Sequence, residues 1–304
     1  MRWKADTRRP VRSERAGPAG FAHESGSELQ LAAGSFNVKK RTMNTIKSHH
    51  RKSTIAGSVS EMEYLTVPAL DKTGRFLHAF TTRHGGLGAK SNGVRLPDDW
   101  SAVADAFGIH IDRVATVNQV HGENIIRIDE LNIRGSRSVH ADALITDVPG
   151  IAVGVETADC VPILLFDPVR PAVAAVHAGW RSTVKKIIQK AVYRMHEEFR
   201  SEPSRLIAAI GPAIGPECYE VDEPVMGPVQ AAFSFWREVS EPQGKDRWSL
   251  DLVKANHIEL MQVGLAEKNI HAAGMCTSCR RELFYSFRAE GRTGRMLSVI
   301  MLKP

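Results

Sequence analysis

From Phe76 to the C-terminus the apolar positions fall into short runs with one of two periods. FLHAFTTR (76–83) reads as a strand and is followed by HGGLGAKSNG (84–93), whose glycines and asparagine tolerate positive φ. DDWSAVADAFGI (98–109) has an Asp cap and helically spaced apolar residues, which predicts a short helix. RVATVNQVHG (113–122) and ENIIRI (123–128) read as strands broken at Gly122. ADALITD (141–147), IAVGVET (151–157), VPILLFD (161–167) and PAVAAVH (171–177) follow in quick succession, with turns at Pro149–Gly150 and between Pro168 and Pro171. The period then changes. Val184, Ile187, Ile188, Ala191, Val192, Met195 and Phe199 form one helical stripe. RLIAAIGPAIG (205–215) reads as a strand entering a Gly-Pro loop, LDLVKANHIELMQVG (250–264) as a second amphipathic helix, and RMLSVIML (295–302) as a closing strand. Strand runs interrupted by covering helices predict an α+β fold with mixed or antiparallel sheet.

Composition narrows the class. In 304 residues no apolar run approaches a membrane span, and no signal-peptide core follows Met1. The net charge of +6 is uneven: residues 1–54 hold twelve Lys and Arg against four Asp and Glu, and the remainder holds 28 against 30. The nearly neutral remainder speaks against a nucleic-acid-binding domain. Residues 1–60 are expected to be a disordered basic tail or an over-extended start, and 61–304 a single folded domain. Four cysteines are too few for a disulfide scaffold at this length, which favours a reducing, cytoplasmic setting. Cys276-Thr-Ser-Cys279 is a lone C-x-x-C with no second pair, which speaks against a zinc knuckle. No G-x-G-x-x-G, P-loop or solenoid repeat is present.

The hairpin 157–182 carries the candidate chemistry. With its turn centred between Val169 and Arg170, antiparallel pairing sets His177 opposite Pro162 and makes Cys160 its diagonal neighbour on the same face. Two such residues could form part of a metal site or a nucleophile–base pair, although for the two alone a buried core pair is the default. His121, at the end of VNQVHG, adds a second imidazole at an equivalent strand end. Asp159, beside Cys160, could orient a ligand imidazole.

NQVHG, ADALITD, TADCVPILL, AAVHAGWR, IGPAIGPECYEV, CT…FYSFR and TGRMLSVIML stand in the order and spacing of the YfiH-like laccase-domain family. That family is described both as multicopper polyphenol oxidoreductases and as zinc-dependent purine nucleoside phosphorylases. The resemblance covers about residues 64–304. It implies a layered α/β/β/α sandwich with mixed sheets, and His121, Cys160 and His177 as metal-binding and catalytic residues. It also implies phosphorolysis of purine nucleosides such as adenosine and inosine, together with adenosine deaminase activity. The cofactor is then Zn²⁺, with copper possible at the same His₂Cys set. The small-molecule partners are a purine nucleoside and phosphate, with no nucleic acid, no membrane and no oligomeric state implied. Arg83 and Arg181 are the candidate substrate-binding residues, since a guanidinium fork suits phosphate. Two departures affect substrate recognition: the loop 84–106 lacks the family's Asn- and Gly-containing elements, and Ser182 replaces the usual Gly. A cysteine hydrolase using Cys160 and His177, a copper polyphenol oxidoreductase and a non-catalytic nucleoside- or partner-binding module are the alternatives. No H-x-H pair is present, which counts against several copper centres.

Overall fold

The computed structural model describes residues 36–42, 61–84 and 101–304, all within the compact unit Leu31–Pro304. One six-stranded sheet runs β1 (Asn37–Thr42), β2 (Glu61–Thr66), β3 (Phe76–Thr81), β15 (Met296–Leu302), β7 (Ala152–Thr157) and β4 (Val114–Ala115). A second runs β14 (Ile270–Ala272), β10 (Ile207–Ile210), β8 (Val161–Asp167), β9 (Ala172–Ala178), β6 (Ala143–Thr146) and β5 (Ile125–Arg127). Each mixes antiparallel with parallel pairs, the parallel ones being β4–β7, β5–β6 and β10–β14. A small third sheet joins β11 (Glu220–Asp222), β13 (Arg247–Leu250) and β12 (Ser240–Gly244). The helices are α1 (Pro68–Asp71), α2 (Ser101–Phe107), α3 (Trp180–Val184), α4 (Ile187–Phe199), α5 (Glu223–Ala232), α6 (Leu252–Gln262) and α7 (Phe287–Glu290).

Alternation along the strands builds the layers. In β8, Val161, Ile163 and Leu165 join a core with Ile188, Val192 and Met195 of α4, whereas Leu164 and Phe166 join Phe76, Phe80 and Val155 of the other sheet. β15 alternates in the same way: Ile300 and Leu302 face the second sheet, and Leu297, Val299 and Met301 meet Val103 and Phe107 of α2. The result is the α/β/β/α sandwich. Strands covered on both faces read as continuous apolar runs because both parities are buried, each large side chain contributing about 1.5–3 kcal/mol. No helix among the described residues is long and apolar enough to cross a membrane.

Three expectations are corrected. RVATVNQVHG yields only a two-residue strand, and Asn118 makes an isolated bridge to His140, so His121 stands on a loop. The expected helix across Val184–Phe199 is interrupted at Lys186, which adopts φ 63° and donates to the buried Glu259 at 2.9 Å. Within the segment expected to be a disordered tail, Asn37–Thr42 is the edge strand β1, paired along its length with β2. Its attachment is local: Phe36 packs on Phe80 with ring centroids 5.5 Å apart, and Lys39 pairs with Asp71 at 2.6 Å. Residues 1–35 and 43–60, and most of the altered loop at 85–100, lie outside the described residues.

Candidate metal centre

The β8–β9 register pairs Pro162 with His177, which puts Cys160, Pro162 and His177 on one face of the second sheet. His121 arrives from the loop between β4 and β5 with φ 56°, a left-handed conformation uncommon for a residue with a side chain. Its Nε2 stands 3.7 Å from Cys160 Sγ, and its ring meets that of His177 edge-on at 4.8 Å between centroids. One donor atom from each of the three residues lies within 4.8 Å of the others. Gly179 makes the approach possible. A Cβ there would stand 2.8 Å from His121 Cδ2 and 3.0 Å from Cys160 Sγ.

One carboxylate holds both histidines, His177 by its ring and His121 by its backbone. Asp142, fully buried in ADALITD, takes the His177 Nδ1 hydrogen bond at 2.8 Å on Oδ1. It also accepts backbone N–H groups from Val120 at 3.3 Å, His121 at 2.9 Å and Gly122 at 2.6 Å. These bonds hold the His121 backbone in its strained conformation and leave His177 Nε2 as the free ligand position. Burial pushes the Asp142 carboxyl up, but His177 and the amides of Gly122 and Val120 bring it below its ordinary value. Burial likewise opposes charge on Cys160 and His177. Beside its two imidazoles the Cys160 thiol nonetheless falls to about 6, and between Cys160 and Asp142 the His177 imidazole rises to about 9. Each group thus favours the charged form of the other, thiolate beside protonated imidazole, and a soft cation can take the proton's place between them.

The orienting role expected of Asp159 belongs instead to Asp142. Asp159, at φ 93°, accepts Thr277 Oγ1 at 2.6 Å and the Arg288 N–H at 2.7 Å, which ties the start of β8 to the C-terminal segments. In sequence Asp142 looked like one polar position in a strand run, and only the sheet brings it beneath His177.

The three donors line a cavity of about 610 Å³, and Arg181 is also on its wall with its guanidinium 4.3 Å from the Trp180 ring centroid. Arg83 is not among the lining residues: it pairs with Glu290 at 3.1 Å, donates to the Arg281 carbonyl and lies over Tyr285. Three further arginines, Arg137, Arg288 and Arg295, also line the cavity. Tyr219 and Phe287, the latter 58% exposed, add aromatic faces. Ser182 is fully buried and does not line the cavity. The lone C-x-x-C acquires a third thiol, because Cys218 meets Cys276 and Cys279 with all three sulfurs within 4.8 Å.

A layered α+β sandwich with a His/Cys/His set on the floor of an arginine-lined cavity defines a class of protein with a site able to hold a metal ion. The chain belongs to the multi-copper polyphenol oxidoreductase laccase family, whose model matches residues 77–303. It is 33% identical over 243 residues to purine nucleoside phosphorylase YlmD of Bacillus subtilis, covering 74% of this chain and 87% of that protein. It is 34% identical over 248 residues to adenosine deaminase RL5 from an unknown prokaryotic organism, covering 75% and 94% respectively. Its fold is similar to the crystal structure of YfiH from Bacillus licheniformis, with a TM-score of 0.73 and 28% identity, covering 79% of this chain and 96% of that one.

Proposed function

We propose that this protein is a purine nucleoside phosphorylase with adenosine deaminase activity, dependent on one zinc ion held by His121, Cys160 and His177. The observation that carries the reading is the convergence of these three donors beneath a cavity large enough for a nucleoside and walled by arginines. The donor set suits zinc: two imidazoles and a thiolate, one imidazole oriented by a buried carboxylate, and a glycine that keeps the approach clear. When bound, zinc would supply a Lewis acid and a water whose pKa is lowered towards about 7.

The remaining roles fall to the chain. Asp142 keeps the His177 Nδ1 proton and thereby directs Nε2 at the ligand position. Arg181, Arg288 and Arg295 offer planar donors to phosphate. Phosphorolysis joins a phosphate oxygen to C1′ as the bond from C1′ to the purine nitrogen breaks with its electron pair. Holding the dianion in line with that bond is the contribution these arginines make. Trp180, Tyr219 and Phe287 present apolar faces against which a purine can lie.

The test is to incubate metal-replete protein with inosine and with adenosine, with and without phosphate. Free base that forms only with phosphate, and ammonia from adenosine, are expected; neither product from either nucleoside refutes the reading. One observation favours a second reading. Cys160, His177 and Asp142 also stand in the order of a nucleophile, base and orienting acid, the last two 2.8 Å apart. A cysteine hydrolase of that kind would keep full activity after exhaustive chelation and lose it on alkylation of Cys160.

A further inference from the structure

A second cluster of soft donors lies outside the His/Cys/His site. Cys218 closes the loop that follows β10, and Cys276 and Cys279 stand on the turn after β14. The two loops are zipped together: Ala213 bridges Cys276, and the Thr277 N–H donates to the Ala213 carbonyl at 3.0 Å. Cys218 Sγ and Cys279 Sγ are 3.3 Å apart, and the three sulfurs lie within 4.8 Å of one another. Two backbone amides point at Cys276 Sγ, from Gly215 at 3.2 Å and from Cys279 at 3.4 Å. Amide donors on sulfur favour the charged thiolate, the form in which cysteine binds metals. Gly215 has no side chain to obstruct this, since a Cβ there would stand 3.2 Å from Cys276 Cβ.

We propose that Cys218, Cys276 and Cys279 form a second metal site that binds one zinc ion or another thiophilic cation, with its fourth position open to water. Sulfurs around a tetrahedral zinc, each at about 2.3 Å, stand about 3.8 Å from one another; Cys218 and Cys279 are at 3.3 Å and no pair of the three is farther apart than 4.8 Å. A disulfide between Cys218 and Cys279 would satisfy two thiols and leave the amide-bonded Cys276 without a role. The cation takes all three. Cys279 is exposed, so the ion can enter from solvent without opening the fold.

The position gives this site a purpose. Its first loop carries Ile214 and Tyr219 to the cavity wall, and its second carries Thr277, which bonds Asp159 at 2.6 Å beside Cys160. A metal there braces the wall of the site without touching substrate. The thiol site stands independently of the His121–Cys160–His177 reading.

Elemental analysis of full-length protein, purified with zinc under reducing conditions, tests it. Two zinc ions per chain are expected in the wild type, and one in Cys276→Ser/Cys279→Ser, whose hydroxyls can still accept the amides. One is expected in His177→Ala, and none when all three substitutions are combined. Cobalt loaded into His177→Ala should show thiolate-to-metal charge-transfer absorption that the two serines abolish. A wild type whose metal content and cobalt spectrum are unchanged by the serines overturns the proposal, as does a Cys218–Cys279 disulfide found by mass spectrometry in the reduced preparation. If His177→Ala loses its zinc and the serine variant does not, only the first site exists. The reverse pattern upholds the thiol site and removes the first.

Discussion

Asp142→Asn separates the support of the metal site from its ligands. The carboxylate accepts four hydrogen bonds, Oδ1 from His177 Nδ1 and the His121 amide, Oδ2 from the amides of Val120 and Gly122. Asparagine is nearly isosteric, but its amide nitrogen must face one of those two donor pairs, in a position sealed from solvent. Bonds to a charged acceptor contribute about 1.5–3 kcal/mol each, and partial rearrangement recovers some of the loss. The metal-free variant should therefore be less stable by about 3 kcal/mol. Misorienting His177 and releasing His121 from φ 56° should weaken metal binding by about 10- to 100-fold, or about 1.4–2.7 kcal/mol. Competition with a chelating dye reads the affinity, and denaturant unfolding of the metal-free form reads the stability. A variant that binds zinc as tightly as the wild type would refute this role for Asp142, whatever its effect on stability.

Two further predictions concern packing and acid stability. Gly179→Ala should lose metal at the first site while keeping its fold, because the new methyl would stand 2.8 Å from His121 Cδ2; undiminished metal content would contradict the close-approach reading. His78 is buried on β3, where its Nε2 accepts the Val67 N–H at 2.7 Å, and burial lowers its pKa from 6.5 to about 4. The unfolded chain therefore binds the extra proton between those values. This contribution, about 3 kcal/mol, is fully present above pH 6.5 and lost as pH falls towards 4. Denaturant unfolding across that window should show His78→Gln with a slope shallower by about one proton, and an unchanged slope would show that His78 is not responsible.

The hairpin was the most legible part of the chain. Its Pro-bounded turn and two apolar runs set one register, and the observed pairing of Pro162 with His177 is the one that places Cys160 beside His177. His121 was legible through its motif but not its element: the loop that presents it is held by Asp142, a contact that links residues about twenty positions apart across two elements. The edge strand β1 has one aliphatic side chain among three basic residues, so its pairing rests on backbone bonds that leave little trace in hydropathy. The thiol cluster was hidden for a related reason. Cys218 lies 61 residues before Cys279, and nothing in the spacing shows that two loop-terminated strands of one sheet will bring them together. The arginines were hard to rank because an arginine on a loop reads the same whether it faces solvent or a cavity. Arg83 pairs with Glu290 whereas Arg288 lines the cavity, and nothing in the local sequence of either distinguishes the two.

Crystals of metal-replete protein, measured on both sides of the zinc absorption edge, examine the central proposal most directly. A difference peak bonded to His121 Nε2, Cys160 Sγ and His177 Nε2 is predicted, at about 2.0–2.1 Å from nitrogen and about 2.3 Å from sulfur. The fourth side of that peak should face the cavity with no protein atom coordinated. Absence of zinc between these three side chains, or a fourth protein ligand closing the ion from the cavity, would contradict it.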